Sequence, residues 1–206
     1  MGRSRGVPAG LNRTVLRRAV LALADQQGIE ALTVRGVARH LRVEAMSIYH
    51  YFPTKDALLE AAWDEIVCQL NTEALEETKT PESYGKHFAQ QLRSLLLQHP
   101  NALPIMLGRH VHSTEAMTIL DQIVGGLHER GLPLPTAVQL MNTVSMFTMA
   151  HALNQVHLPQ APAPEPDPQL HPSLCAALEA GIPSGPAVED QSFRDGITAL
   201  IRATID

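Results

Sequence analysis

The chain has 206 residues, 45% of them apolar, and a formal net charge of −5, which is enough for a sizeable core in one or two domains of ordinary globular composition. No stretch reaches the ~20 apolar residues that a membrane span requires, and the first ten residues lack the apolar centre of a secretory signal. The two cysteines, Cys68 and Cys175, lie far apart in sequence; their spacing leaves a disulfide open, but the cytosol disfavours one, and both are read as packing residues of a cytoplasmic protein.

Charge is distributed unevenly along the chain. Residues 1–55 carry nine Lys/Arg against three Asp/Glu, a net +6, while the remainder carries −11. A basic module on an acidic body is the electrostatic footprint of a nucleic-acid-binding head.

Residues 1–10 hold Arg3 and Arg5 among Gly and Pro, and read as a flexible basic arm. Such an arm either adds DNA contacts or is a tail without a role. A first helix is predicted from Leu11 or Asn12 to Gln27, ended by Gly28. Val15, Ala19, Ala22 and Leu23 make its inner face, with Leu16 and Val20 beside them. Arg13, Arg17 and Arg18 near its start face either phosphate or solvent.

Thr33 to Lys55 has the shape of a helix-turn-helix. Thr33 is an N-cap, and Val34, Val37, Ala38 and Leu41 form one helical face. Leu41-Arg42-Val43 is a short connection. A second helix from Glu44 to His50 is stopped by Pro53. Two turns offer little core, so the value of this helix lies in the residues it presents. Val43 and Ile48 point inward. Ala45 and Met46 can touch a thymine methyl, and Ser47 and His50 can bond base edges. Tyr49, His50 and Lys55 can reach phosphates.

With these residues in place the chain resembles the TetR family of bacterial transcriptional regulators. The pattern T-V-R-x-V-A-x-x-L-x-V-x-x-x-S-I-Y-x-Y-F-x-x-K, followed by Asp56-Ala57-Leu58-Leu59, carries the likeness over residues 11–70. The resemblance implies an all-α protein: a three-helix DNA-binding domain at 11–55, then a helical ligand-binding and dimerisation domain at 56–206. It implies a DNA-contacting set of Thr33, Arg35, Ala45, Met46, Ser47, Tyr49, His50 and Lys55. The partners it implies are operator DNA, a small effector and a second copy of the chain.

Thr54 caps a connecting helix over 56–70 that holds the single tryptophan, Trp63. Residues 71–80 turn polar. Thr80-Pro81 starts a helix to Gln98 with Phe88, Leu92, Leu95 and Leu96 on its stripe. Ala102 to Leu107 is a short apolar segment. Ser113 caps a helix from Thr114 to about Arg130. Residues 136–157 form a helix apolar nearly all round, which must be covered on several sides. Leu158 to Pro172 contains six prolines and reads as an extended surface loop. Leu174 to Ala180 is a short helix, and Glu189 to Ile205 is the last one.

The second half is similar to the tetracycline-repressor-like subgroup, on His99-Pro100, the Leu107-Gly108 step, Gly131-Leu132 and the Phe193/Gly196/Ile201 pattern. This likeness implies a pocket lined by Asn71, Gln91, Leu95, Met106, Arg109, His110, Leu120, Met141, Val144, Thr148 and His151. It also implies an intersubunit four-helix bundle using Val138, Met146, Phe147, Met149, Phe193, Ile197, Leu200 and Ile201. One departure bears on the effector. Tetracycline-responsive members hold the drug-bound metal with a histidine before the Leu-Gly step, where this chain has Met106. The expectation is an apolar effector, no cofactor and no metal.

Other readings are weaker. No His/Cys/Asp/Glu cluster has a recognised metal-ligand spacing, and no nucleophile elbow is present, so no enzyme is expected. The alternative function is a DNA-binding activator, or a regulator controlled by a partner protein without an internal cavity.

Overall fold

The computed structural model describes residues 11–105, 109–157, 166–181 and 186–205, and these are all-helical and without strands. The basic arm at 1–10, Met106 and residues 158–165 of the proline-rich loop lie outside the described residues.

The head begins with α1 (Arg13–Gln27). The Asn12 side chain accepts the Val15 N–H, and Gly28, at φ 77°, ends the helix where an L side chain would be strained. Leu16, Val20, Leu23 and Ala24 face inward, whereas Val15 is 41% exposed. The inner face is therefore turned by one position from the sequence reading. A 3₁₀ turn at Ile29–Ala31 leads to α2 (Val34–Leu41), whose cap Thr33 accepts the Gly36 N–H. Arg42 takes the left-handed conformation, φ 56°, while its own N–H and that of Val43 bond back to the end of α2. This closes the turn without a glycine. α3 (Ala45–Tyr49) follows, held by Ile48, which is fully buried.

The link to the body is α4 (Lys55–Val67), capped by Thr54. It ends three residues before the predicted limit. The stretch expected to be a polar turn contains α5 (Thr72–Glu76), capped by Asn71. α6 (Pro81–Gln98) opens on a capping box between Thr80 and Ser83. A 3₁₀ segment at Pro100–Ile105 leads toward α7 (Thr114–Glu129), capped by Ser113, and α8 (Leu134–His157). α9 (Pro172–Glu179) and α10 (Pro186–Ile205) complete the order. Both start earlier than predicted. In α9 the reason is Pro172, whose fixed φ and missing N–H suit a first helical turn.

α8 packs on α6, α7 and α10, which explains its nearly uniform apolarity. The α8–α10 crossing is close because Gly196 lies under Phe147, and Phe147 and Phe193 stack with centroids 6.0 Å apart. Phe193, Ile197 and Ile201, expected at the subunit interface, are at most 2% exposed within one protomer. They belong to the protomer's own core, because α10 turns that stripe onto α6 and α8. Elsewhere Arg130 gathers the α5–α6 turn. It bonds Thr78 and Glu76 oxygens and lies 4.5 Å over the buried Tyr84 ring.

Gly196→Ala tests the crossing. Its Cβ would meet the Phe147 ring at 2.5 Å. Overpacking of this kind costs about 1–3 kcal/mol, against a helix-propensity gain of about 1 kcal/mol. A net loss in the urea midpoint is expected; a gain would show that the helices are not in contact there.

Candidate nucleic-acid interface and its link to the body

α3 is the most exposed apolar-bearing part of the head. Met46 is 73% and Tyr49 44% exposed, and His50 is also on the surface. Ala45 and Ser47 are half-buried at its edge. Thr33, Arg35 and Lys55 are exposed on the adjoining helix starts. Lys55 lies 3.6 Å from Glu30, an open ion pair that solvent weakens. Tyr51, just beyond α3, donates its hydroxyl hydrogen to the Leu11 carbonyl at 3.0 Å, and Arg13 lies over the Phe52 ring. These contacts pin the end of α3 to the start of α1, so the reading helix is held at both ends.

Arg17 is different. Considered from sequence as a phosphate contact, it is 4% exposed and turned inward. Its guanidinium reaches Glu65 at 3.5 Å and Glu115 at 3.0 Å. Burial opposes its charge, but these carboxylates outweigh that and raise its pKa. Glu65 also takes Arg18 at 3.2 Å. The neighbouring Asp64, 4% exposed, accepts the backbone N–H of His112 at 2.9 Å and of Ser113 at 2.7 Å. On the far side Asp25 binds His99 at 2.8 Å through its carboxylate and Asn101 through its backbone carbonyl. Sequence reasoning did not single out Asp25, Asp64 or Glu65. Their partners lie 47 to 76 residues away, and some are backbone groups, so no local spacing betrays them.

The residues expected around an effector fall into several places. Asn71, Gln91 and Leu95 line a groove of about 450 Å³ beside α5 and α6. Asn71 and Gln91 bond one another through backbone and amide in both directions. Arg109 instead pairs with Asp56 on α4 at 3.2 Å, and His110 is exposed. Leu120 on α7 and Met141 on α8 are half-buried and pack on the core, and Val144 is fully buried. Thr148 is fully buried and its hydroxyl oxygen has no partner among the described residues. His151 Nδ1 and Arg93 Nε are likewise unpartnered. Arg93 lies 4.8 Å over the Phe193 ring and reaches Asp190 at 2.6 Å. Burial, with Arg93 nearby, lowers the pKa of His151 below the ordinary imidazole value. Among the described residues no group of three His, Cys, Asp or Glu could hold a metal ion, and no helix is long and apolar enough to cross a membrane.

On the outside of α8, Val138 is 41% and Met146 69% exposed, with Phe147, Met149 and the α10 residue Leu200 half-buried. An open groove between α8 and α10 runs past Phe147, Val188 and Gly196.

Two family descriptions match the chain. The bacterial regulatory proteins of the tetR family match residues 16–62, and the tetracyclin repressor-like C-terminal domain matches residues 81–202. The tetracycline repressor protein class D of Escherichia coli is 30% identical over 199 residues, covering 94% of this chain and 89% of that protein. The HTH-type transcriptional repressor DrrR1 of Streptomyces coeruleorubidus is 24% identical over 77% of this chain and 58% of its own. In fold, the chain is similar to the TetR family protein ActR of Streptomyces coelicolor in complex with actinorhodin. That match has a TM-score of 0.77 at 19% identity, over 95% of this chain and 97% of the other. A TetR Q116A variant from Acinetobacter baumannii in complex with minocycline gives 0.68 at 20% identity, over 94% and 92%. The relatives are regulators rather than enzymes. With a free reading helix on a basic head and both halves matched, this chain belongs to the TetR family and is a DNA-binding transcriptional regulator under small-molecule control.

Proposed function

We propose that this chain is a homodimeric repressor that leaves a palindromic operator when a small, largely apolar molecule binds its body. The observation that carries the reading is the exposed Met46/Tyr49/His50 surface of α3, flanked by Arg35 and Lys55. In a dimer, two such helices would enter successive major grooves about 35 Å apart. Thr33, Arg35, Tyr49, His50 and Lys55 would grip phosphate, and Ala45, Met46 and Ser47 would meet base edges. The protein would act in the cytoplasm, where its DNA is.

Dimerisation is assigned to the outward face of α8 and α10, through Val138, Met146, Phe147, Met149 and Leu200. Val138 and Met146 are large apolar side chains left exposed on the outside of α8, and such a surface suits a partner.

The effector would sit against α6 and α8. Thr148, His151 and Arg93 each leave a buried polar atom without a partner among the described residues. Such atoms are costly unless a ligand or water pairs them. Met141 and Val144, on the same helix as Thr148 and His151, would supply apolar wall, while Asn71, Gln91 and Leu95 line the groove beside α5 and α6. The relatives solved with actinorhodin and minocycline suggest a polycyclic aromatic effector. Met106, in place of a metal-binding histidine, argues for recognition without a metal, since a thioether is a poor ligand for a hard cation. A molecule that binds the released conformation more tightly shifts the population away from DNA. The second reading, control by a partner protein, draws on the openness of the groove beside α5 and α6.

A gel-shift titration against the chain's own upstream DNA, with and without polycyclic aromatic compounds, tests the reading. Salt-sensitive binding that a compound abolishes is expected; binding that no compound but a protein partner relieves supports the second reading. Tyr49→Ala and Lys55→Ala should each weaken binding about tenfold or more, the size of one lost hydrogen bond to a charged group, about 1.5–3 kcal/mol. Lys55→Ala should also lower the salt slope by about one per subunit. Light scattering should report an unchanged dimer, and a monomer would show that these residues do not face DNA.

The depressed His151 pKa has a consequence for stability. The folded chain resists the proton and the unfolded chain accepts it, so stability falls as pH drops through the ordinary imidazole range near 6.5. His151→Gln should lose less of its urea midpoint than the parent between about pH 7.5 and about pH 5.5. Equal losses would remove His151 as the cause.

A further inference from the structure

The head meets the body in two places of different character. At one, α1 and α4 pack against the 3₁₀ segment Pro100–Ile105, whose Ala102, Leu103 and Ile105 are buried. Close-packed apolar side chains there make a pivot. At the other, between the head and the start of α7, a cleft of about 470 Å³ takes the place of packed core. Among the described residues, four polar contacts span that side. Three of the contacts have an exposed partner: Glu115 toward Arg17, Asp56 toward Arg109, and His112 toward Glu60, with 59%, 76% and 54% of those side chains exposed. Solvent-exposed pairs of this kind hold a geometry weakly. The fourth is buried. Both carboxylate oxygens of Asp64 are occupied by successive backbone N–H groups at the entry to α7. Charge-assisted bonds to fixed backbone donors are directional and short.

We propose that Asp64 is the positioning residue that sets the angle of the reading head on the body, and so the half-site spacing that the dimer accepts. Rotation of α4 about the apolar pivot carries Asp64 away from the two N–H groups, and both bonds must break together. The side chain touches neither DNA nor effector. It acts through α4. The proposal rests on the dimeric operator-binding reading above.

The test uses the full-length dimer. An operator is obtained by selection from random DNA, and versions with one base pair added or removed between the half-sites are compared. The parent should favour the selected spacing by about tenfold or more, since half-site spacing is fixed by the geometry of the dimer. Asp64→Ala should keep affinity for the selected operator within about threefold while its preference falls below about threefold. Asp64→Asn, which keeps one accepting oxygen, should lie between them. Glu115→Gln, at the exposed contact, should behave as the parent. A folded, dimeric Asp64→Ala with the full spacing preference overturns the proposal, and if that variant does not fold, full preference in Asp64→Asn does so. In parallel, spin labels are placed on the two heads at Arg39→Cys, with Cys68→Ser and Cys175→Ser. Their distance distribution should broaden on losing Asp64. An unchanged width overturns the proposal whether or not any DNA is selected, whereas failure to select any DNA counts against the repressor reading.

Discussion

The structure depends on a helix that must belong to two cores at once. Leu58, Ala61, Ala62, Trp63, Ile66 and Val67 of α4 are all buried, and so are the acids Asp64 and Glu65 between them. A carboxylate taken out of water is tolerated only when its oxygens are matched by donors. Here one is matched by α1 through Arg17 and Arg18, the other by the backbone before α7. The same helix therefore carries one charge toward the head and one toward the body. That arrangement fixes which way α4 faces more firmly than its apolar residues can, because those are spread around its circumference.

A short reading helix follows from the same economy. α3 has five residues and Ile48 is its fully buried side chain. Alone it would not be stable, since helices of that length do not repay their nucleation. It is held from outside: by the back-bonded turn at Arg42, by Ile48, and by Tyr51 and Phe52 against the start of α1. The rest of its surface is left free to be chosen for contact with DNA, which is why Met46 can be so exposed without costing the head its fold.

Much of this was legible in the sequence because it is local. Thr33, Thr54, Thr80 and Ser113 act as the caps their positions announced, each accepting an N–H three residues on. The inward role of Ile48 and the stop at Gly28 are local in the same sense. What stayed hidden depends on which way a helix turns in space. Phe193, Ile197 and Ile201 form a plain stripe, but a stripe does not say whether a partner or the same protomer covers it. Arg17 is one residue from the exposed Arg18, and only the distant Glu65 and Glu115 decide that it turns in. Asn71 looked like a pocket residue and also caps α5, a helix too short for periodicity to reveal. The expected effector residues are the least legible of all, because convergence on a ligand is a property of four helices and not of any one.

The body's packing and its proposed control point in the same direction. An all-apolar interior between α6, α8 and α10 would be more stable than one holding Thr148, His151 and Arg93 with atoms that find no partner among the described residues. Such a site favours whichever conformation lets a ligand or a shifted helix complete those bonds. Binding energy gained there must reach α3, and the route is short: α6 runs on into the 3₁₀ segment against which α1 and α4 pack. A body that was fully satisfied on its own would have nothing to exchange with an effector. The polar groups left open inside it and the polar tie at Asp64 are thus two ends of one balance, in which completing bonds at the first can be set against breaking them at the second.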